Sequence, residues 1–249
     1  VSGSDSKTSL VIFDKDGTLI CFHSMWVPWA METARRVEMR SKLSIAEKVY
    51  ELLGFCPHQK QVRPGLLAEG TISMIRGGVR DLLISHGVRA GQAQAIAADG
   101  VLDFSAHQTQ RKIKELCCIR SLFEIIRSHD VLIAVCTADS RVGTTAMLDS
   151  LGVRNLVDVV VCGDDPGAMP KPNPRNALEI CRRLRILPEN AMMVGDTVAD
   201  LGMAKSAGLG SSVAVLSGIG SHEELVHHAD HVIPSVGELL PIIVGRRAV

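Results

Sequence analysis

LVIFDKDGTL, from Leu10 to Leu19, joins an apolar run to two carboxylates and a Gly-Thr turn. The run Leu10 to Phe13 has the length of a buried parallel strand, which is apolar on both faces and shows no alternation. Asp14 and Asp16 then stand where that strand stops. In open α/β sheets ligands bind at the carboxyl ends of the strands, so the pair reads as a nucleophile, Asp14, and a proton donor, Asp16.

C-terminal to this stretch the period becomes helical. From Ser24 onward Trp26, Trp29, Ala30, Thr33 and Val37 recur on one face, with Pro28 placed in the first turn, where its missing N–H is tolerated. Ser44-Ile45-Ala46-Glu47 reads as a capping box opening a short helix that Gly54 closes. A loop rich in Pro, Gly and basic residues runs from Phe55 to Gly70, and helices are expected over Thr71–His86, stopped by Gly87, and Gln92–Leu102. No strand is expected between residues 24 and 105. Residues 24–105 therefore read as a helical module inserted after the first strand, with residues 1–23 and 106–249 forming the core.

A helix from Arg111, carrying Ile113, Leu116, Ile119, Phe123 and Ile126, precedes the second apolar run, Val131–Cys136. Strands and helices alternate from there, with strands at Val157–Cys162, Ala191–Gly195, Ser211–Leu216 and His231–Ile233 and capping boxes at Ser221–Glu224 and Ser235–Glu238. Such alternation predicts an α/β fold, a doubly wound parallel sheet covered by helices on both faces. The strand ends are chemically coherent: Thr137-Ala138-Asp139 after the second, a loop carrying Lys171 after the third, and Gly195-Asp196-Thr197 with Asp200 one turn beyond after the fourth.

The chain has 249 residues, of which 46% are hydrophobic, enough to fill a sizeable core. Lys+Arg and Asp+Glu both number 27, so no net field favours nucleic acid or an anionic membrane. No apolar run reaches the ~18 to 20 residues of a membrane helix, and VSGSDSKTS at the start lacks the apolar segment of a secretory signal. A cytoplasmic location is expected, and because the first residue is Val rather than Met an organellar targeting peptide removed upstream is left open. Seven cysteines without a CxxC pair suggest reduced, mostly buried thiols and no zinc site.

An Asp-x-Asp-Gly-Thr opening, a strand-ending Thr, a Lys-Pro and a final Gly-Asp-x-x-x-Asp, in that order, resemble the haloacid dehalogenase-like hydrolase superfamily over about residues 9–23 and 111–240. The helical insertion resembles members with a type 1 cap, such as phosphoglycolate phosphatase-like enzymes. The resemblance implies a Rossmann-like core and Mg²⁺ held by the carboxylates of Asp14 and Asp196 and the backbone carbonyl of Asp16. Asp200 would be a further ligand or a support. Sparse carboxylates with water and substrate suit Mg²⁺. It implies attack of Asp14 on phosphorus to give an aspartyl-phosphate. Asp16 would protonate the leaving alkoxide and later deprotonate water, help worth ~10² to 10⁴ in rate. Thr137 and the backbone around Ala138 would hold phosphoryl oxygens, with Lys171 neutralising their charge.

A carboxylate at Asp16 separates the chain from family dehalogenases and phosphonatases, which lack one there. P-type ATPases carry Asp-Lys-Thr-Gly-Thr but are large membrane proteins. The expectation is a Mg²⁺-dependent phosphatase for a small soluble phosphomonoester, as a monomer or homodimer with no nucleic-acid or membrane partner. A phosphomutase and a phosphate-binding scaffold without turnover are the rivals. Asp196 and Asp200 alternatively read as a helix N-cap and a solvated helix residue, and Lys171 as an exposed loop lysine. Trp26 and Trp29 read as core before substrate wall, and Arg63 and Glu69 as readers of the leaving group or solvated loop residues. His227, His228, Asp230 and His231 read as a solvated helix end rather than a metal site. Gly218-Ile219-Gly220 follows the wrong strand for a dinucleotide fingerprint. Two residues depart from the family: Ala138 replaces a small polar residue, and Lys15, where an apolar residue is common, either sets a cation beside the nucleophile or points away.

Overall fold

A computed structural model describes residues 8–59, 61–62, 65–102 and 113–245. Strand β1 (Leu10–Phe13) is fully buried, as its unbroken apolar run requires. It leads through a tight turn into α1 (Phe22–Ser41), followed by α2 (Ala46–Leu53), a two-stranded antiparallel ribbon of β2 (Phe55–Cys56) and β3 (Gln61–Val62), and α3 (Leu66–Glu69). Next come α4 (Ile72–Ser85), α5 (Ala90–Gly100) and α6 (Ile119–Ser128). The remainder alternates β4 (Leu132–Cys136), α7 (Arg141–Ser150), β5 (Val159–Val161), α8 (Arg175–Leu184), β6 (Ala191–Gly195), α9 (Val198–Ala207), β7 (Ser211–Val215), α10 (His222–Leu225), β8 (His231–Ile233) and α11 (Leu240–Gly245).

Six strands form one parallel sheet in the order β5-β4-β1-β6-β7-β8. From β1 the chain first builds outward through β4 and β5, then returns to the other side of β1 with β6. The crevice at such a reversal is where doubly wound sheets bind ligands. Phe13 lies level with both Val135 and Val194, so the three central strands end within one residue of one another and the residues that follow share one edge.

Several local expectations are corrected. Helix α1 begins at Phe22, which puts Pro28 inside the helix rather than in its first turn. The lost backbone bond, worth about 3 kcal/mol or more, is outweighed by a buried face that includes Met25, Trp26, Trp29, Ala30, Thr33 and Val37. The Ser44–Glu47 capping box does not form: Glu38 of α1 accepts from the N–H groups of Ile45 (3.0 Å) and Ala46 (3.3 Å) instead. The Ser221–Glu224 box is present, whereas Ser235 opens only a short 3-10 turn without a side-chain cap. The β2–β3 ribbon, anchored by buried Phe55 and Val62, is a strand pair in the region expected to have none. The helix expected from Arg111 starts at Ile119, whose N–H is taken by the Glu115 carboxylate at 3.0 Å; residues 111 and 112 lie outside the described residues. All seven cysteines are free, but only Cys136, Cys162 and Cys181 are buried. Among the described residues no helix is long and apolar enough to cross a membrane.

Candidate active site

Asp14 follows β1 directly, its N–H donating to the Val194 carbonyl at 2.9 Å and so tying it to β6. The chain then reverses: Gly17 N–H donates to the Ile20 carbonyl at 2.8 Å, and Leu19 and Ile20 N–H groups return to the Lys15 carbonyl at 2.9 and 3.1 Å. Gly17 has φ +87°, a left-handed conformation that favours glycine, and a Cβ there would overlap the Asp196 carboxylate. A Cβ at Gly218 would overlap the same carboxylate. Asp196 is thus seated in a glycine-lined cradle, where Ile219 N–H (2.9 Å) and Thr18 Oγ1 (3.4 Å) donate to its two oxygens.

Asp200 lies one turn into α9, where Thr197 is the N-cap and Asp200 completes a capping box, its Oδ2 accepting from Thr197 N–H at 3.1 Å and Oγ1 at 2.6 Å. Its Oδ1 accepts from Lys171 Nζ at 2.6 Å, and the same ammonium reaches Asp14 Oδ1 at 2.5 Å. Neither Asp196 as N-cap nor Asp200 as a solvated residue describes this geometry, since Thr197 is the cap and Asp200 is 1% exposed. Lys171 is half-buried, its side chain 11% exposed, rather than an exposed loop lysine.

Carboxylate oxygens of Asp14, Asp196 and Asp200 lie within 4.8 Å of one another. Burial pushes the Asp14 carboxyl up from 3.8 to about 7, against the pull of Lys171 and with Asp200 adding to the rise. Asp196 is raised well above the ordinary range by burial and then by Asp14 and Asp200. Burial works to lower the Lys171 pKa, but the two carboxylates outweigh it and hold the ammonium firmly charged. Three buried carboxylates facing one ammonium, all offering oxygen, are a donor set that fits a hard divalent cation.

Asp16 lies beside a second cation. Lys15, with no accessible surface, holds Asp16 at 2.7 Å and Asp139 at 3.1 Å. Burial raises the Asp16 pKa, with Lys15 pulling against it. Of the two readings of Lys15, the side chain takes the one directed away from Asp14, but into a built ion pair with Asp16 and Asp139. Neither this pairing nor a role for Asp139 was anticipated; the signal available was a lysine inside an otherwise apolar strand end and an aspartate closing the adjacent strand.

Thr137 and Ala138, after β4, line the same cavity, of about 40 Å³, as Asp14, Asp16, Lys171, Asp196 and Asp200. Thr137 Oγ1 accepts from Asp139 N–H at 3.1 Å, which leaves the hydroxyl its own proton to donate. The helical segment closes the opposite side with Phe22, Trp26, Leu67, Ala68 and Ile72. Trp26 and Trp29 are both buried in the core as expected, their ring centroids 5.3 Å apart, and Trp26 in addition lines the cavity. Arg63 lies outside the described residues, as does the side chain of Glu69. Asp230 is engaged elsewhere, accepting from Ser212 N–H at 2.7 Å and Oγ at 2.9 Å.

With a motif-bearing edge of this kind on a reversing parallel sheet, the comparison with known families is unambiguous. The profile of the haloacid dehalogenase-like hydrolase family matches residues 8–208, and the chain belongs to that family. It is 34% identical over 101 residues to the "probable phosphatase IndB" of Dickeya dadantii, covering 41% of this chain and 43% of that protein. It is also 34% identical over 98 residues to phosphoglycolate phosphatase of Salmonella choleraesuis, covering 39% of this chain and 38% of the relative. The chain thus spans well under half the length of these curated relatives. The crystal structure of a "predicted phosphoglycolate phosphatase" from Haemophilus somnus superposes with a TM-score of 0.72 at 16% identity, covering 96% of this chain and 99% of the other, and so shares the fold.

Proposed function

We propose that the protein is a Mg²⁺-dependent phosphatase that hydrolyses a small-molecule phosphomonoester through an aspartyl-phosphate on Asp14. The observation that carries this reading is the convergence of Asp14, Asp196 and Asp200 on Lys171 at the strand edge, with Asp16 two residues beyond the nucleophile. Asp14, Asp196, the Asp16 carbonyl and Asp200, as ligand or support, would hold the cation, which when bound offsets the negative charge of carboxylates and phosphate.

Asp14 attacks phosphorus, and the bond to the leaving oxygen breaks as Asp16 donates its proton to that oxygen. Lys171 and the Thr137 hydroxyl hold the equatorial phosphoryl oxygens, with backbone N–H groups near Ala138 assisting. Asp16, now ionised, takes a proton from water, which attacks the phospho-aspartate and frees phosphate and Asp14. In this reading residues 24–105 act as a cap over a core of residues 1–23 and 106–249, excluding water and selecting the leaving group. Phosphoglycolate is a substrate to test first, given the relative of that name.

The test measures inorganic phosphate released from phosphoglycolate, sugar phosphates, nucleoside monophosphates and pyridoxal phosphate, in Mg²⁺ and in EDTA. Turnover should require the metal and vanish in Asp14→Asn. Wild-type turnover by Asp14→Asn would overturn the mechanism, and binding of phosphate analogues without turnover of any ester would favour a scaffold. Label recovered in a bisphosphate rather than in free phosphate would identify a mutase.

A further inference from the structure

We propose that Lys15 is a positioning residue which, braced from behind by Asp139, fixes the Asp16 carboxylate in the orientation from which it serves the leaving-group oxygen. The inference rests on the phosphatase reading above and concerns the same site.

Lys15 cannot touch substrate. It has no accessible surface, and it is absent from the lining of the cavity that Asp14, Asp16 and Asp139 share. Its ammonium lies 2.7 Å from Asp16 Oδ2 and 3.1 Å from Asp139 Oδ2. Asp139 is itself immobilised: its Oδ1 accepts from Ser140 N–H at 2.7 Å, its own N–H donates to Thr137 Oγ1 at 3.1 Å, and its carbonyl accepts from Gly163 N–H at 2.9 Å. The brace therefore runs from the end of β4, through Lys15, to the carboxylate at the end of β1. It is available because β4 is the hydrogen-bonded neighbour of β1.

Burying an ammonium is unfavourable unless its partners compensate it, and an apolar side chain at position 15 would fill a strand end without that demand. What the ion pair adds is direction. The Asp16 carboxylate lies after the strand, in a turn closed by Gly17, and its side chain has two rotatable bonds. A charge-assisted bond to a fixed ammonium selects one rotamer. General acid catalysis depends on the donor lying within hydrogen-bond reach of the leaving oxygen, so the orientation sets the rate of the step that needs the proton.

That dependence separates positioning from mere stabilisation. An alkyl phosphate leaves as a poor alkoxide and needs Asp16, whereas 2,4-dinitrophenyl phosphate leaves without a proton. In Lys15→Met, kcat/KM for an alkyl phosphate that the wild type hydrolyses should fall by ~10² or more, and for the dinitrophenyl ester by less than about fivefold, since general acid help is worth ~10² to 10⁴. In an Asp16→Asn background the same substitution should cost nothing further on either ester, the coupling expected of residues that act as a unit. Asp139→Asn loosens the brace while leaving Lys15 in place, and should show the same selective loss at smaller size; it decides the matter alone if Lys15→Met does not fold.

Equal losses on both esters, or losses additive with Asp16→Asn, would overturn the positioning role and leave the phosphatase reading intact. A wild type that hydrolyses neither ester, nor any of the substrate panel, would overturn the phosphatase reading and this inference with it.

Discussion

Asp14→Asn, introduced into the metal-free protein, should flatten a fall of stability with pH that the wild type shows. Burial holds the Asp14 carboxyl at about 7 in the folded protein, against its ordinary 3.8. Between those values the folded protein keeps a proton that the unfolded chain has released. Stability therefore falls as pH rises wherever the native state binds more protons. The contribution is fully present below pH 3.8 and gone above about pH 7. A rise of about three pH units at ~1.4 kcal/mol each sets a ceiling on the order of 4 kcal/mol for this carboxyl. Asp16 and Asp196 are shifted in the same direction, so the wild type falls more steeply than Asp14 alone would make it. Asparagine at position 14 removes one share and leaves the others.

Thermal or urea unfolding at pH 5, 6, 7 and 8 in EDTA, wild type beside variant, measures that share. For a chain of this size 1 kcal/mol moves Tm by roughly 2 to 4 °C, so the variant should gain on the wild type by several degrees across the range. On the proposed metal site Mg²⁺ would replace the proton as partner of the carboxylate, so its stabilising effect on the wild type should grow from pH 5 to pH 8. The reasoning is refuted if the difference between the two proteins in EDTA is flat across this range, or if Mg²⁺ stabilises the wild type equally at pH 5 and pH 8.

Lys171→Met removes the ammonium that lies 2.5 Å from Asp14 and 2.6 Å from Asp200; turnover should drop by ~10² to 10³ while Mg²⁺ affinity by calorimetry does not weaken, because a competing cation has gone. Weaker Mg²⁺ binding would instead make Lys171 an organiser of the carboxylates. Gly218→Ala drives a Cβ into the Asp196 carboxylate, and should reduce Mg²⁺ affinity by about tenfold or more with the circular dichroism unchanged; unaltered affinity would show that the cradle does not set the ligand. Phe123→Ala empties a fully buried position whose ring lies 5.3 Å from that of Phe13, and urea unfolding should show a loss of about 3 to 5 kcal/mol, a loss below about 1 kcal/mol counting against the packing described.

The strands were legible because each is a short apolar run ended by a turn, and for Ala191–Gly195 and His231–Ile233 the expected and observed bounds coincide. The candidate constellation was legible for a related reason: in a parallel sheet the residue after each strand falls on one edge, so Asp14, Thr137 and Asp196 could be gathered without coordinates. Helix starts were less so. The acceptor at the start of α2 is Glu38, on the preceding helix, and a cap supplied by tertiary contact leaves no local pattern. Pro28 misled for the same reason, since burial of the α1 face overrides the local preference. Lys15 was ambiguous because its fate depends on Asp139, and only the pairing of β1 with β4 brings that carboxylate within 3.1 Å.

Asp14, Lys15 and Asp16 are consecutive, yet they serve two separate charge clusters. On one side Asp14, Asp196 and Asp200 face Lys171, three carboxylates against one ammonium. On the other Asp16 and Asp139 face Lys15, two against one. Unit charges about 4 Å apart interact by ~4 kcal/mol at an effective dielectric of 20, so neither surplus goes uncompensated. On the proposed metal site the first cluster is the one whose negative charge a divalent cation would offset. On the proposed mechanism the first is the side that meets the phosphate and the second the side that gives a proton to the leaving oxygen. An apolar residue at position 15 would leave Asp16 and Asp139 with no ammonium between them. On the proposed mechanism the lysine between the two aspartates would serve only the second cluster, holding Asp16 in its orientation from the Asp139 side.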